Sequence, residues 1–310
     1  MKKRLYVFLF CFCLTSPALF AGGPTVETPT SNDVATEETH GFPFEADFQY
    51  GYIGQGEVSR GRLPNLRDVN DLDEDYLFAR FIYTPRIKFG ILRLGAVYER
   101  FGFGAPNLFE VPSGLQSLSG VFGLDTKLSD AILIRFEATP GFYSSKHIDG
   151  NDFHAPMILG GTYIYSSDLQ FVFGVSFDYE REQPVLPGGG IRWRLASQWL
   201  LDAVLPTPRL NYEVTRNFTI YGGADIKGST FRVDDSFGNQ RGDTRLNHAV
   251  VTYTEVRAGV GMELKVAPQI KVSIEGGYMP YRNFDFYRAD VRYHNEEGAP
   301  YGSLAIHAAF

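Results

Sequence analysis

The chain has 310 residues with 29 basic against 36 acidic side chains, a formal charge of −7, and is 44% hydrophobic, 21% charged and 15% aromatic. That acidic balance disfavours a phosphate backbone, so nucleic acid is excluded as a partner. No stretch beyond the first residues approaches the ~20 consecutive apolar residues of a membrane helix, whereas 26 Phe, 18 Tyr and 33 Gly favour strands and tight turns.

The first element is a leader. Met1-Lys2-Lys3-Arg4 is basic, Leu5 to Leu14 is apolar, and Ser16-Pro17 breaks the run before Ala18-Leu19-Phe20-Ala21. This is the three-part layout of a secretory signal peptide, with cleavage expected after Ala21 although Leu19 is larger than the usual small residue there. The apolar run is about half of the ~20 residues needed to anchor a helix in a bilayer. Cleavage removes Cys11 and Cys13, both of the chain's cysteines, so the mature protein has no thiol, disulfide or cysteine-based metal site. It also removes three cations, which leaves 26 basic against 36 acidic residues, or about −10. Residues 22–42 are rich in Thr, Pro, Glu and Ser and are expected to form a flexible polar tail. The expected layout is therefore a signal peptide over 1–21, a tail over 22–42 and one β domain over 43–310.

From Phe44 onward the apolar period is two, the mark of strands with one apolar and one polar face. Ala46, Phe48, Tyr50 and Tyr52 alternate with Glu45, Asp47, Gln49 and Gly51, and Leu92, Leu94, Ala96 and Tyr98 with Arg93, Gly95 and Glu99. Ile132, Ile134, Phe136 and Ala138 oppose Leu133, Arg135, Glu137 and Thr139, and a Leu169–Tyr179 series opposes Gln170, Gly174, Ser176 and Asp178. Later, Val256, Ala258, Val260, Met262 and Leu264 oppose Glu255, Arg257 and Glu263, while Ile270, Val272, Ile274 and Tyr278 oppose Lys271, Ser273 and Glu275. Short connections at 85–86, 126–130, 166–168 and 266–268 alternate with longer polar ones at about 55–75, 102–117, 144–154, 234–248 and 283–298. Short turns on one rim and long loops on the other are the asymmetry of an outer-membrane barrel.

A soluble sandwich alternates too, so three further features decide. Full charges of both signs occupy the polar face in mid-strand, as suits a polar barrel interior: Arg93, Glu99, Arg135, Glu137, Arg192, Arg194, Glu255, Arg257, Lys271 and Glu275. Aromatic pairs such as Tyr50 and Tyr52, Tyr163 and Tyr165, or Tyr278 and Tyr281 sit toward strand ends, where interfacial girdles lie. The chain closes on Leu304, Ile306, Ala308 and Phe310, a lipid-side series ending in an aromatic, with Ser303, Ala305 and His307 facing in. This segment resembles the C-terminal recognition strand of outer-membrane proteins, which implies the barrel-assembly machinery and outer-membrane lipid as partners. The fold expected is all-β, a closed antiparallel transmembrane barrel of about twelve strands, with fourteen possible. The count turns on Trp199 to Glu213, where Pro206 and Pro208 allow either one kinked strand or two short ones.

Other clusters carry weaker chemistry. Asp68, Asn70, Asp71, Asp73, Glu74 and Asp75 place oxygens at close spacing but lack an EF-hand's glycine and final glutamate, so a solvated outer loop is expected. His147, Asp149, Asp152 and His154 offer ligands for a divalent ion without a fixed scaffold. Ser144, Ser145 and His147 are the only catalytic grouping, neighbours in sequence with no nucleophile elbow, so no enzyme and no cofactor is expected. A lone inward His307 reads as a structural hydrogen-bonding group.

The stretch Val185-Leu186-Pro187-Gly188-Gly189-Gly190-Ile191-Arg192-Trp193-Arg194-Leu195, followed by Leu205-Pro206-Thr207-Pro208-Arg209-Leu210-Asn211-Tyr212, resembles a family of bacterial outer-membrane β-barrels classed as a domain of unknown function. The likeness covers about Phe44 to Phe310 and implies the barrel, with no site residue to carry over. The function expected is a passive channel or transport barrel with a charged lumen, or else a structural or adhesive barrel whose lumen is plugged by those same charges, with an outer-membrane hydrolase as the least favoured reading.

Overall fold

The structure is a computed structural model that describes residues 43–62, 65–104, 110–146, 148–295 and 297–310; the expected signal peptide and tail lie outside them. The described residues form one closed barrel of fourteen antiparallel strands, the larger of the two counts. In chain order these are β1 (Phe44–Arg62), β2 (Asn65–Tyr83), β3 (Gly90–Gly104), β4 (Gly114–Ser129) and β5 (Ile132–Ala138, continued by Gly141–Ser144). Next come β6 (Phe153–His154 and Met157–Ile164), β7 (Leu169–Phe177), β8 (Val185–Ala196), β9 (Trp199–Val204) and β10 (Arg209–Thr215). The barrel is completed by β11 (Phe218–Lys227, continued by Thr230–Arg232), β12 (Val250–Ala267), β13 (Ile270–Phe286) and β14 (Val291–Asn295 and Ala299–Ala309). The prolines at 206 and 208 thus separate two short strands, and their carbonyls accept from Ile226 and Ala224. Closure comes from β14 lying along β1, from Glu45 opposite Ala309 to Ile53 opposite Tyr301, which leaves no sheet edge along that seam.

The alternation read from the sequence sets the two faces. Phe48, Tyr50, Phe122, Phe136, Phe173, Trp193, Trp199, Ile274 and Leu304 are exposed on the outside, while Arg93, Arg135, Glu137, Glu255 and Arg257 are buried inside. Val260, 67% exposed in the middle of the outward series of β12, should sit near the bilayer midplane. Val260→Arg is expected to lower the unfolding free energy by about 2–4 kcal/mol, read from urea titration in liposomes; an unchanged midpoint would place that face away from lipid.

The barrel has two tiers. Strands β5 and β11 both run toward the long-loop rim, so a direct contact between them must be parallel. Such a contact exists, with Ser144 opposite Arg232 and the Ser145 amide donating to the Arg232 carbonyl at 3.0 Å. It bypasses β6 to β10, which end lower, so fourteen strands on the short-turn side narrow to nine beyond the seam. About eight strands enclose only enough space for side chains. Accordingly the narrow tier is filled by a packed apolar cluster that includes Tyr76, Phe101, Phe103, Phe231, Tyr253, Phe284 and Phe286, whereas the wide tier retains a cavity.

Two expectations about loops are corrected. The polar connection expected over 55–75 is mostly a hairpin, because β1 and β2 continue to Arg62 and from Asn65. The acidic run read as a solvated loop lies in β2. Asp73 and Asp75 point out, toward Tyr52 (2.9 Å) and Arg100 (3.2 Å), but Leu72, Glu74 and Tyr76 are buried inside. The period of two persists while the outer face changes from apolar to acidic, as it must where strands rise past the bilayer. Likewise the strands on either side of the 102–117 and 283–298 connections reach Gly104, Gly114 and Phe286, and Val291–Asn295 is itself strand.

Candidate functional site: the barrel interior

The inward charges fall into groups. Near the short-turn rim, Arg93 donates to both Glu45 oxygens (3.0 and 2.9 Å) and to Glu137 (3.2 Å), and Arg135 makes a two-pronged pair with Asp125 at 2.6 Å. Three predicted residues therefore meet in one network with two that alternation alone could have supplied, Glu45 and Asp125. Arg192 pairs with Asp202 and Arg194 with Glu213, both at 3.1 Å, along the wall of β8 to β10.

A second group crosses the barrel beneath the apolar tier. Glu74 accepts from Arg257 at 3.1 Å, from Arg282 at 2.8 Å and from the Tyr253 hydroxyl at 2.7 Å. Arg257 also lies 2.6 Å from Glu255, and Arg282 donates to the Leu72 carbonyl at 3.0 Å. Glu99 accepts from the Tyr76 hydroxyl at 3.0 Å, and the Arg257 guanidinium lies 4.8 Å from the Tyr76 ring centre. Sequence reading found Glu99, Glu255 and Arg257 here but placed Glu74 outside and did not single out Arg282. Buried charges persist only when paired, and here four strands supply the pairing, although Arg257 Nε and Nη1, Arg282 Nε and Glu255 Oε1 are buried without a hydrogen-bond partner among the described residues.

Between these groups lies a cavity of about 190 Å³. Its lining includes Asp47, Gln49, Arg80, Arg209, Tyr221, Asp225, Lys227, Lys271, Glu275 and His307, with Pro206 and Thr207 from the β9–β10 tip. Lys271, at the start of β13 and half exposed, pairs with Glu263 at 3.4 Å, which brings the cavity to the short-turn rim. Glu275 accepts from the Tyr301 hydroxyl at 2.6 Å and faces Arg209 at 3.6 Å. His307 lies 2.7 Å from Asp47, which also takes Arg80 at 2.8 Å. At the closed end, Lys227 bridges Asp225 (2.9 Å) and Gln49 (3.1 Å), and the buried Asp225 Oδ1 has no hydrogen-bond partner within the protein. Named charges of both signs line this space, which suits polar solutes over a strongly one-signed ion filter.

Among the terminal residues, Leu304, Ile306 and Phe310 are exposed outward. Phe310 stacks on Phe44 at 4.5 Å between ring centres, and its amide donates to the Phe44 carbonyl at 2.9 Å.

The remaining candidates do other work. Asp152 accepts from the Asp149 amide at 2.8 Å, and His154 lies 2.9 Å from Asp178. Among the described residues no three His, Asp or Glu side chains converge as a metal site. Ser144 is buried and Ser145 lies 3.4 Å from Asp234; His147, the expected partner in both the metal and catalytic groupings, lies outside the described residues.

The family described as Domain of unknown function (DUF6268) matches residues 86–301. No curated protein matches the chain significantly. Among solved structures, the COG4313 outer membrane channel from Pseudomonas putida F1 is similar over 88% of this chain and 97% of its own, at 9% identity and a TM-score of 0.51. The P. putida toluene transporter TodX (7% identity, 86% and 90% covered, TM-score 0.39) and the NanC porin (12%, 86% and 100%, 0.38) are more distant. The first establishes the outer-membrane barrel fold.

Proposed function

The chain belongs to the family described as Domain of unknown function (DUF6268), and from that premise we propose that it is an outer-membrane barrel for passive passage of small solutes. The short turns would face the periplasm and the narrow apolar tier the outside. Outer-membrane lipid would surround the exposed aromatic and aliphatic face, and the barrel-assembly machinery would act on the terminal strand.

The observation that carries this reading is the unfilled polar cavity. A purely structural barrel gains nothing by lining about 190 Å³ with charges from strands that could have packed apolar side chains against one another. The filled outer tier supports the second reading, a structural or adhesive barrel with a plugged lumen. In planar bilayers the passage reading expects discrete conductance steps from folded protein, larger or more frequent in Phe103→Ala, which removes one buried ring of the plug. Current at the level of leak from both folded preparations would leave the structural reading standing.

A further inference from the structure

The five bypassed strands leave a break in the barrel wall. A tilted strand needs ~9–11 residues to cross a bilayer, yet β9 has 6 and β10 has 7. Their connecting tip, Leu205-Pro206-Thr207-Pro208, carries neither charge nor Tyr or Trp, unlike a segment seated at the interface. Irregular backbone at bilayer depth is tolerated where it lines a cavity, and Pro206 and Thr207 line the polar chamber. Above the tip, β11 bonds to it only as far as Ile226 and meets β5 again only at Arg232. On the opposite side β8 pairs with β9 from Gly190, with one more bond from Leu205 to Gly189. Its Val185–Gly188 portion is therefore unpaired toward the break, and Pro187, which has no amide hydrogen to leave unsatisfied, falls there. Gly188 is exposed, with no atom within 4 Å of where a Cβ would stand. The end of β7 and the residues after it span the break: Thr230 donates to Asp178 at 2.8 Å, and Glu180 holds Arg232 at 2.8 Å and Arg288 at 2.7 Å, while β6 anchors this segment through His154, 2.9 Å from Asp178, and the Phe153 carbonyl, which accepts from Tyr179 at 3.3 Å.

We propose that this break is a side portal between the polar chamber and the outer part of the bilayer, covered by the segment after β7, and that it passes small amphiphilic molecules. The portal rests on the passage reading. An axial path would have to unpack the aromatic tier, whereas the side path parts the polar contacts that Glu180 makes with Arg232 and Arg288 and that Asp178 makes with Thr230. A polar chamber that opens at lipid depth suits a molecule with a polar head and an apolar body.

The test uses cells lacking their general porins that express the full chain, with the apolar amine dye N-phenyl-1-naphthylamine as probe. Wild type is expected to take up dye several-fold faster than the porin-deficient control. Glu180→Gln, which releases both arginines, should raise the rate several-fold, and Gly188→Trp, which places a ring in the frame, should return it to the control, with folding checked by heat-dependent gel mobility. Dye uptake that is insensitive to both folded variants overturns the portal. Conductance in planar bilayers without dye uptake overturns the portal alone, while absence of both removes the passage reading with it.

Discussion

Replacing Glu74 by alanine is expected to destabilise the barrel by about 3–5 kcal/mol, because it leaves buried arginines without their shared counter-charge. Glu74 is fully buried and takes Arg257, Arg282 and the Tyr253 hydroxyl. Arg257 retains Glu255, but Arg282 would keep only the neutral Leu72 carbonyl among these contacts. Glu74→Gln keeps an acceptor of the same shape, so it should lose less. Glu74→Ala combined with Arg282→Met removes the charge and its stranded partner together and should recover part of the loss, a non-additivity expected of groups in one network. Urea unfolding in liposomes reads all three. A Glu74→Ala midpoint equal to wild type would mean that water reaches this layer and screens it, which would favour an open lumen.

Much of this architecture was legible in the sequence because a barrel strand states its faces residue by residue. Arg93, Arg135 and Glu137 were assigned inward by alternation, and the structure brings them into one network with Glu45 and Asp125. Glu74 was misplaced for a physical reason. Once strands rise past the bilayer the outer face no longer needs to be apolar, so Asp71, Asp73 and Asp75 joined Glu74 into a run that reads as loop, although Leu72, Glu74 and Tyr76 keep the inward period. The two-tier closure left no local signature. A parallel contact between Ser144 and Arg232 depends on how far five intervening strands rise, and only the prolines at 206 and 208 hinted that one hairpin stops early. The apolar filling of the narrow tier was partly legible, since Phe101 keeps the inward phase of Arg93 and Glu99, whereas Phe284 falls out of phase with Lys271 and Glu275 because of an irregularity in the β12–β13 pairing.

Deleting Phe310 should separate two roles that the last residue could play. In the folded barrel it contributes one aromatic stack on Phe44 and one backbone bond to the same residue. Together these are worth about 1–3 kcal/mol, a modest share of a barrel closed by nine successive residue pairs between β1 and β14. If the terminal aromatic mattered only for packing, Phe44→Ala, which removes the stack from the other side, would reproduce the deletion. The recognition role we propose for the terminal strand expects otherwise: the deletion should lower the heat-modifiable, membrane-inserted fraction several-fold with the exported pool undiminished, while Phe44→Ala changes that fraction little. Equal losses from the two variants would reduce Phe310 to a packing residue. A loss of export itself would trace the defect to a step before insertion.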